Sequence, residues 1–400
     1  MSPWDEPLER ATEAWRQWCR AVEETGVTAL RNTITHDEID LAEGVRYLGR
    51  LVRLTLGTSN ENVDSHHPYF WRALGPDLKM GGDNPQGLYL AAPINGTDTY
   101  RVRGTRGSAR WISFLVQRTP ECFAAGETIF GDALFSPHLA VEPDGSFEIV
   151  VSPEAHAGER NRIRTDRWSA LLLVRQFFGT PEDVRPMDLT IENLSNGHRP
   201  VEPLTLERAL AQLGKAAGQY RLFVPIMQSE LVNKASSKNS FATDVGDPTS
   251  NQGGVPGGNA VTARWCLEPD EALLVRVTPP TPCAYWDVQA GNGWYESWDY
   301  RNLFSGFTCE QAHANADGSV TIVVAHEDPG TVNWLEAAHH REGHIAIRWQ
   351  LSEGKLPLPK CEVVKASDVQ KRTGLPAVSA EQRLAERRKL RAAFDARFRP

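Results

Sequence analysis

Near the start of the chain, apolar residues recur at steps of three and four. Leu8, Ala11, Ala14, Trp15, Trp18, Cys19 and Val22 make one stripe, which predicts a helix over 7–25 closed by Gly26. A second helix start is written in Thr35-His36-Asp37-Glu38. Ile39, Ala42, Val45, Leu48, Val52 and Leu56 carry its stripe to Gly57. Two amphipathic helices joined by a short loop must cover something, and a sheet is expected beneath them. The period then changes. After a polar, turn-rich stretch over 59–86, short strands are predicted near 87–93, 99–104, 109–117, 138–141, 147–152 and 169–177. Turns such as Asn95-Gly96 and Asp144-Gly145 separate them, as an antiparallel sandwich requires. A helix over 202–221, with Leu206, Ala209, Leu210, Leu213 and Ala217 on one face, leads to a Ser/Asn/Gly-rich loop over 233–259 that reads either as a functional lid, the favoured expectation, or as a disordered segment. A second set of strands fills 260–351. A Pro/Lys linker over 355–360 precedes a terminal helix over 379–399, whose Arg-rich surface reads as a solvated face or a surface salt-bridge partner.

The two strand regions echo one another. Laid without a gap, Asp144-Gly145-Ser146 falls on Asp317-Gly318-Ser319, and Ile149-Val150-Val151 falls on Ile322-Val323-Val324. Glu154 falls on Glu327 and Arg175 on Arg348. One β unit present twice explains these matches. The differences locate candidate chemistry. His326 and Asp328 stand where the first copy has Pro153 and Ala155, and Asn333-Trp334 stands where it has Arg160-Asn161. The expected fold is therefore mainly β: two fused antiparallel β-sandwich units of jelly-roll kind, from an internal duplication, with a helical N-terminal hairpin and a C-terminal helix. The expected regions are 1–58 (helical), 59–200 (first unit), 201–259 (linker helix and loop), 260–352 (second unit) and 353–400 (linker and helix).

Composition narrows the function classes. The 400 residues carry a formal charge of −8 with no recurring basic stripe, which speaks against a nucleic-acid partner. No apolar run suits a membrane helix and no secretory signal is visible, so a cytoplasmic location is expected. Six scattered cysteines without CxxC spacing read as reduced thiols. Twelve tryptophans, several near charged residues, suit cores and ligand walls alike.

Three stretches could carry chemistry. In His326-Glu327-Asp328, an imidazole beside carboxylates could work as an acid/base group. Over 289–301, Glu296 and Asp299 lie among Trp294, Trp298 and Tyr300. Third, His339, His340 and His344 have spacings that could bind zinc, but Gly343 interrupts them and no H-E-x-x-H pattern occurs, so no metal is expected. No nucleophile elbow, P-loop or dinucleotide fingerprint is present.

Several of these words resemble a bacterial family, domain of unknown function 1214. They are Gly81-Gly82-Asp83-Asn84-Pro85, 88–94, 294–300, 322–335 ending in Asn333-Trp334-Leu335, and 343–349. The resemblance implies a jelly-roll-like β-sandwich and no settled activity. The common setting of such proteins among genes of steroid, terpenoid or aromatic catabolism implies a hydrophobic small molecule. Residues and resemblance together lead to the expectation of a cofactor-independent lyase, isomerase or hydrolase acting on a terpenoid, steroid or phenolic. His326, Asp328 and Glu296 would be catalytic, and Trp294, Trp298, Asp299, Tyr300, Asn333 and Trp334 would bind substrate. No cofactor, nucleic acid or membrane is expected, and a homo-oligomer is left open. The rival expectation is a non-catalytic small-molecule or carbohydrate-binding β-sandwich protein using exposed tryptophans.

Overall fold

The order of elements separates helices from strands and repeats the strand set. The computed structural model describes residues 2–33, 37–155, 158–197, 199–234, 238–241, 258–352 and 356–398. Helices α1 (Asp5–Arg31) and α2 (Glu38–Leu56) come first. Nine strands follow: β1 (Trp71–Leu74), β2 (Gly87–Pro93), β3 (Tyr100–Thr105), β4 (Trp111–Arg118), β5 (Phe130–Phe135), β6 (Ser146–Ser152), β7 (Arg162–Arg164), β8 (Ser169–Phe177) and β9 (Asp188–Asn193). After α3 (Leu206–Lys234) come β10 (Gly258–Cys266), β11 (Glu271–Val277), β12 (Tyr285–Gly291), β13 (Gly306–Thr308), β14 (Val320–Ala325), β15 (Trp334–Glu336), β16 (Glu342–Gln350) and β17 (Lys360–Lys365). Helices α4 (Val369–Thr373) and α5 (Ala380–Phe398) end the chain.

The first unit pairs a sheet ordered β1-β2-β8-β4-β5 with one ordered β7-β6-β3-β9. The second pairs β10-β16-β12-β13 with β15-β14-β11-β17. Apart from β1, each strand of the first unit has a counterpart in the same place eight strands later. Both units also close with a parallel pair, β6 with β7 and β14 with β15. Identical order in both sheets is the duplication seen in the sequence, now in topology. Each unit has its own core. Phe114, Val116, Tyr100, Ile149 and Val151 fill the first, and Trp265, Trp349, Val275, Ile322 and Val324 the second. All six residues of β14 are buried because both its faces are covered. Ile322 and Val324 face the sandwich core, while Val323 and Ala325 face Trp334, Val369 and Leu375.

Several elements differ from expectation. Helix α1 runs through Gly26, which packs beside Leu48, and ends at Arg31. The hairpin does not rest mainly on a sheet: Trp18, Ala21, Tyr47 and Leu51 pack with Ala217, Tyr220 and Val224 of α3 to make a helical layer. Residues 138–141 form no strand, and β5 takes the place beside β4. The edge strands β9 and β17 are half exposed, so their sequences lack a clear apolar run. The terminal helix does more than present charge to water. Arg383 and Arg397 are buried, and Phe398 packs against the first core while Phe394 lies near Tyr300. The expected lid over 233–259 falls largely outside the described residues. Among the described residues, no helix is long and apolar enough to cross a membrane.

Candidate functional site

Where the helical layer meets the second sandwich, the interface is polar. Strand β12 ends at Gly291 and the chain turns through Asn292, whose Oδ1 accepts the backbone N–H groups of Trp294 and Glu296, each at 3.0 Å. This turn delivers two side chains to α2. The indole of Trp294 enters the helical layer, 5.2 Å from the Tyr47 ring, and its Nε1 donates to the Asp40 carbonyl at 2.6 Å. Only a glycine at position 44 admits it, since a Cβ there would lie 2.2 Å from the indole. The other side chain is Glu296. Its carboxyl is wholly buried, and Oε2 accepts from Nη1 of Arg50 on α2 at 2.6 Å. Its Oε1 makes no hydrogen bond among the described residues. Burial pushes this carboxyl up to about 7; Arg50 opposes the rise, and Asp83 adds to it.

Around Glu296 other charges are tied into the backbone. Lys79 is buried, and its Nζ donates to the carbonyls of Ser297, at 2.8 Å, and Trp298. Burial lowers its pKa. Asp83 accepts from the Ser297 amide at 3.0 Å and hydroxyl at 2.7 Å. Arg348 on β16 donates to Gln289 Oε1 at 2.7 Å and to the Gly82 carbonyl at 2.6 Å. Gly82 has φ of 68°, and a Cβ there would meet the Tyr295 ring at 2.8 Å, so this loop requires glycine. His344 is buried and neutral, with burial pushing it down to about 4 and its Nδ1 2.8 Å from the Asn292 carbonyl oxygen.

A second charged group lies on the same face of α2. Asp40 and Glu43 are one helical turn apart, and His340, from the β15–β16 connection, approaches both. Its Nε2 is 3.1 Å from Glu43 Oε2 and 3.6 Å from Asp40 Oδ1. Its Nδ1 is 2.9 Å from the Ala338 carbonyl oxygen, and the Trp298 ring lies 4.3 Å away. Asn292 Nδ2 donates to Glu43 Oε2 at 2.5 Å and so links this group to the Glu296 turn. Burial works against charge on His340, yet the hydrogen bond and charge of Glu43, with Asp40, raise its pKa. Burial likewise acts against the Glu43 carboxylate, and His340 holds it below the ordinary value.

The residues expected to form one site are spread over several places. His326 is half-buried, with Nε2 3.4 Å from the Leu267 carbonyl oxygen. Asp328 takes a two-pronged ion pair from Arg383 of α5, at 2.9 and 3.1 Å. Neither joins Glu296, whose partner is Arg50. Asp299 binds Arg301 and Asn302 at the surface. Tyr300 is enclosed by Lys79, Arg397 and Phe398. Trp334 packs on Phe304 beneath Arg383, with its Nε1 on the Ala325 carbonyl. Asn333 bridges backbone groups at 313 and 321. Trp294, Trp298 and Trp334 are all buried, so none offers an exposed ring.

The residues that surround Glu296 and were not expected, Asp40, Glu43, Arg50, Lys79 and Asp83, come from 200 to 300 positions away. One sequence signal was available. The buried stripe of α2 is Asp40, Gly44, Tyr47, Leu51 and Leu54, headed by an acid, whereas Ile39 and Val45 of the expected stripe are exposed.

This architecture is shared. A family model described as "Protein of unknown function (DUF1214)" matches residues 270–353. The crystal structure of an uncharacterised protein from Burkholderia cenocepacia is 32% identical, with a TM-score of 0.83, over 91% of this chain and 100% of that one. The chain belongs to the DUF1214 family. The match of that family's model covers β11 to β16 and with them the Glu296 turn, so one half of the polar interface lies within it. The other half comes from α2 and the loop before β2. The VPA0106 protein of Vibrio parahaemolyticus is 15% identical with a TM-score of 0.48, over 80% of this chain and 97% of that one. No curated protein matches the chain.

Proposed function

We propose that this DUF1214 protein is an acid/base enzyme, a lyase, isomerase or hydrolase, acting on a hydrophobic or aromatic small molecule such as a terpenoid, steroid or phenolic. Glu296 is its proton-transferring residue. The observation that carries this is a fully buried carboxyl with one oxygen held by Arg50 and the other without a hydrogen-bond partner among the described residues. A carboxyl poised near neutral pH can both give and take a proton in one cycle. Protonated, Glu296 supplies a proton to a carbonyl oxygen or a leaving group. Ionised, it takes one from carbon or from water, and Arg50 stabilises the charge. Such chemistry needs no organic cofactor. Tyr295, half-buried against the His344 ring, adjoins the carboxyl in sequence and gives an approaching molecule a partly exposed aromatic face. Arg50 and Glu43, with side chains 13% and 22% exposed, mark the edge from which solvent is reached.

The test is a thermal-shift screen of the full chain against steroids, terpenoids, phenolics and sugars, followed by product detection with wild type, Glu296→Gln and His326→Ala. One hydrophobic class should raise the melting temperature of all three. Turnover should persist in His326→Ala and fall by about 10²-fold or more in Glu296→Gln. Undiminished turnover in Glu296→Gln removes the residue from the chemistry. Binding without product in any of the three would make the protein a non-catalytic binder.

A further inference from the structure

We propose that Asp40, Glu43 and His340 form a binding site for one divalent transition-metal ion. The inference stands apart from the role given to Glu296. Three features of the geometry support it. The donor atoms are already gathered: one imidazole nitrogen and one oxygen from each carboxylate all lie within 4.8 Å of one another. The imidazole sits 3.1 and 3.6 Å from the two oxygens. Ligands about 2.0–2.2 Å from a common ion are separated by about 3–3.6 Å, and both distances from Nε2 fall in that range; the ion would replace the Nε2 proton.

The second feature is the way the ligands are held. A histidine that binds metal through Nε2 commonly gives its other N–H to a backbone carbonyl, which fixes the tautomer and ring plane. His340 Nδ1 has the Ala338 carbonyl oxygen at 2.9 Å for that purpose. The Trp298 ring packs 4.3 Å from the imidazole and prevents it from turning over. Glu43 is held by Asn292, and Asp40 and Glu43 are fixed in relative position by one turn of α2. The backbone that delivers the histidine is in an uncommon conformation: Ala338 and His339 both have positive φ, at 51° and 67°, which swings His340 back toward α2.

The third feature is burial with an open side. Asp40 and His340 are almost wholly buried, whereas the Glu43 side chain keeps 22% of its surface exposed, which leaves a way in for the ion. Three protein ligands leave coordination positions for water or for a ligand molecule, the pattern of reactive rather than purely structural metal sites. The Trp298 ring against His340 carries an Nε1 that is buried and without an acceptor among the described residues, a donor left over beside the group. A set of one nitrogen and two carboxylate oxygens suits zinc, manganese or ferrous iron better than calcium, which takes six to eight oxygens. In the sequence the histidine spacing pointed away from metal because Gly343 interrupts it and no H-E-x-x-H pattern occurs; in the structure His344 indeed turns to the Asn292 carbonyl, away from His340's carboxylate partners. The missing ligands lie on α2.

The experiment is isothermal titration of the chelator-stripped full chain with Zn²⁺ and with Mn²⁺. Visible absorption of the Co²⁺-loaded protein then reports ligand geometry. Wild type should bind one equivalent of at least one ion, with a rise in melting temperature. Glu43→Gln, a near-isosteric change at a partly exposed position, should weaken binding by at least about tenfold and alter the Co²⁺ bands. His340→Ala should abolish binding, and His339→Ala, at the exposed neighbour, should leave it unchanged. If His340→Ala does not fold, Glu43→Gln decides alone. Absence of stoichiometric binding in wild type overturns the proposal, as does binding that survives unchanged in Glu43→Gln. The three side chains are then only an ion-pair latch between α2 and the second sandwich.

Discussion

Glu296 sits in surroundings far from those of an ordinary surface carboxylate. In the unfolded chain it ionises near 4.5, and in the folded protein near 7. An acid whose folded value is raised stabilises the fold most below its unfolded value, and that contribution is lost as pH rises through the folded one. Between about pH 4.5 and 7 the native state holds a proton that the unfolded state has released, so stability falls with rising pH. At about 1.4 kcal/mol per unit the whole effect is on the order of 3 kcal/mol. His340 and Asp287, also raised, act in the same direction and the lowered His344 in the opposite one, so the wild-type profile mixes several groups. The difference between wild type and Glu296→Gln isolates Glu296. Denaturant titrations at pH 5 and pH 8 should show wild type losing more stability than the variant over that interval. Parallel losses would mean that the carboxyl titrates normally. Gly44 belongs at this scale too. Gly44→Ala raises helix propensity, yet its methyl group meets the Trp294 indole. Overpacking costs about 1–3 kcal/mol, so the variant should be less stable despite the better helix former, as a lowered denaturation midpoint would report.

Helix α5 shows how an element can be built around charge and still serve as a structural clamp. Its sequence has no strong apolar face, and it docks through arginines. Arg383 reaches both oxygens of Asp328 and the Thr331 carbonyl, and its guanidinium lies 5.1 Å from the Trp334 ring centre and 5.3 Å from that of Phe304. At the far end, Arg397 donates to the Pro85 carbonyl, so the helix ties the second unit to the loop before β2. This accounts for Asp328 without catalysis. Its carboxylate meets a planar fork that lysine cannot supply. Arg383→Ala would leave Asp328 and a buried carbonyl without their partner, at a cost of about 2–4 kcal/mol. The expected result is earlier proteolysis within α5 and a lower melting temperature, with Arg383→Lys rescuing little. His326→Ala, two residues before Asp328, should do neither. If Arg383→Ala leaves α5 as protected as in wild type, the helix is held by its phenylalanines instead.

Across the whole molecule, two copies of one sandwich have been put to different uses, and this decides what could be read from the sequence. The Asp-Gly-Ser turns and the apolar strands after them were legible because turn and strand are local: Gly145 and Gly318 both have positive φ, and the adjacent serine amides both bond to the aspartate. The half-exposed edge strands were not, since pairing with β3 or β11 on one side demands little of their side chains. Nor was the polar interface, because its members meet only when α2 crosses the second unit. The ungapped comparison also hid one equivalence. β7 and β15 occupy the same place, but the first unit has one residue more between β6 and β7 than the second has between β14 and β15, a shift that aligns Asn161, not Arg160, with Asn333. Their bonds agree. Asn161 bridges Ala140 N–H and C=O and the Glu148 carbonyl at 2.7, 2.8 and 2.9 Å, while Asn333 bridges His313 N–H and C=O and the Thr321 carbonyl at 2.8, 2.8 and 3.0 Å. A residue that does the same work in both copies serves the shared fold, so Asn333 is better explained as a scaffold pin than as a substrate contact. Asn161→Ala and Asn333→Ala should each cost about 2–4 kcal/mol by stranding buried backbone groups. Far apart and without common partners, they should add in the double variant. Neither should change the affinity of a ligand found by thermal shift. A selective loss of ligand affinity in Asn333→Ala, with stability preserved, would return that residue to the binding site and mark the second copy as functionally distinct there.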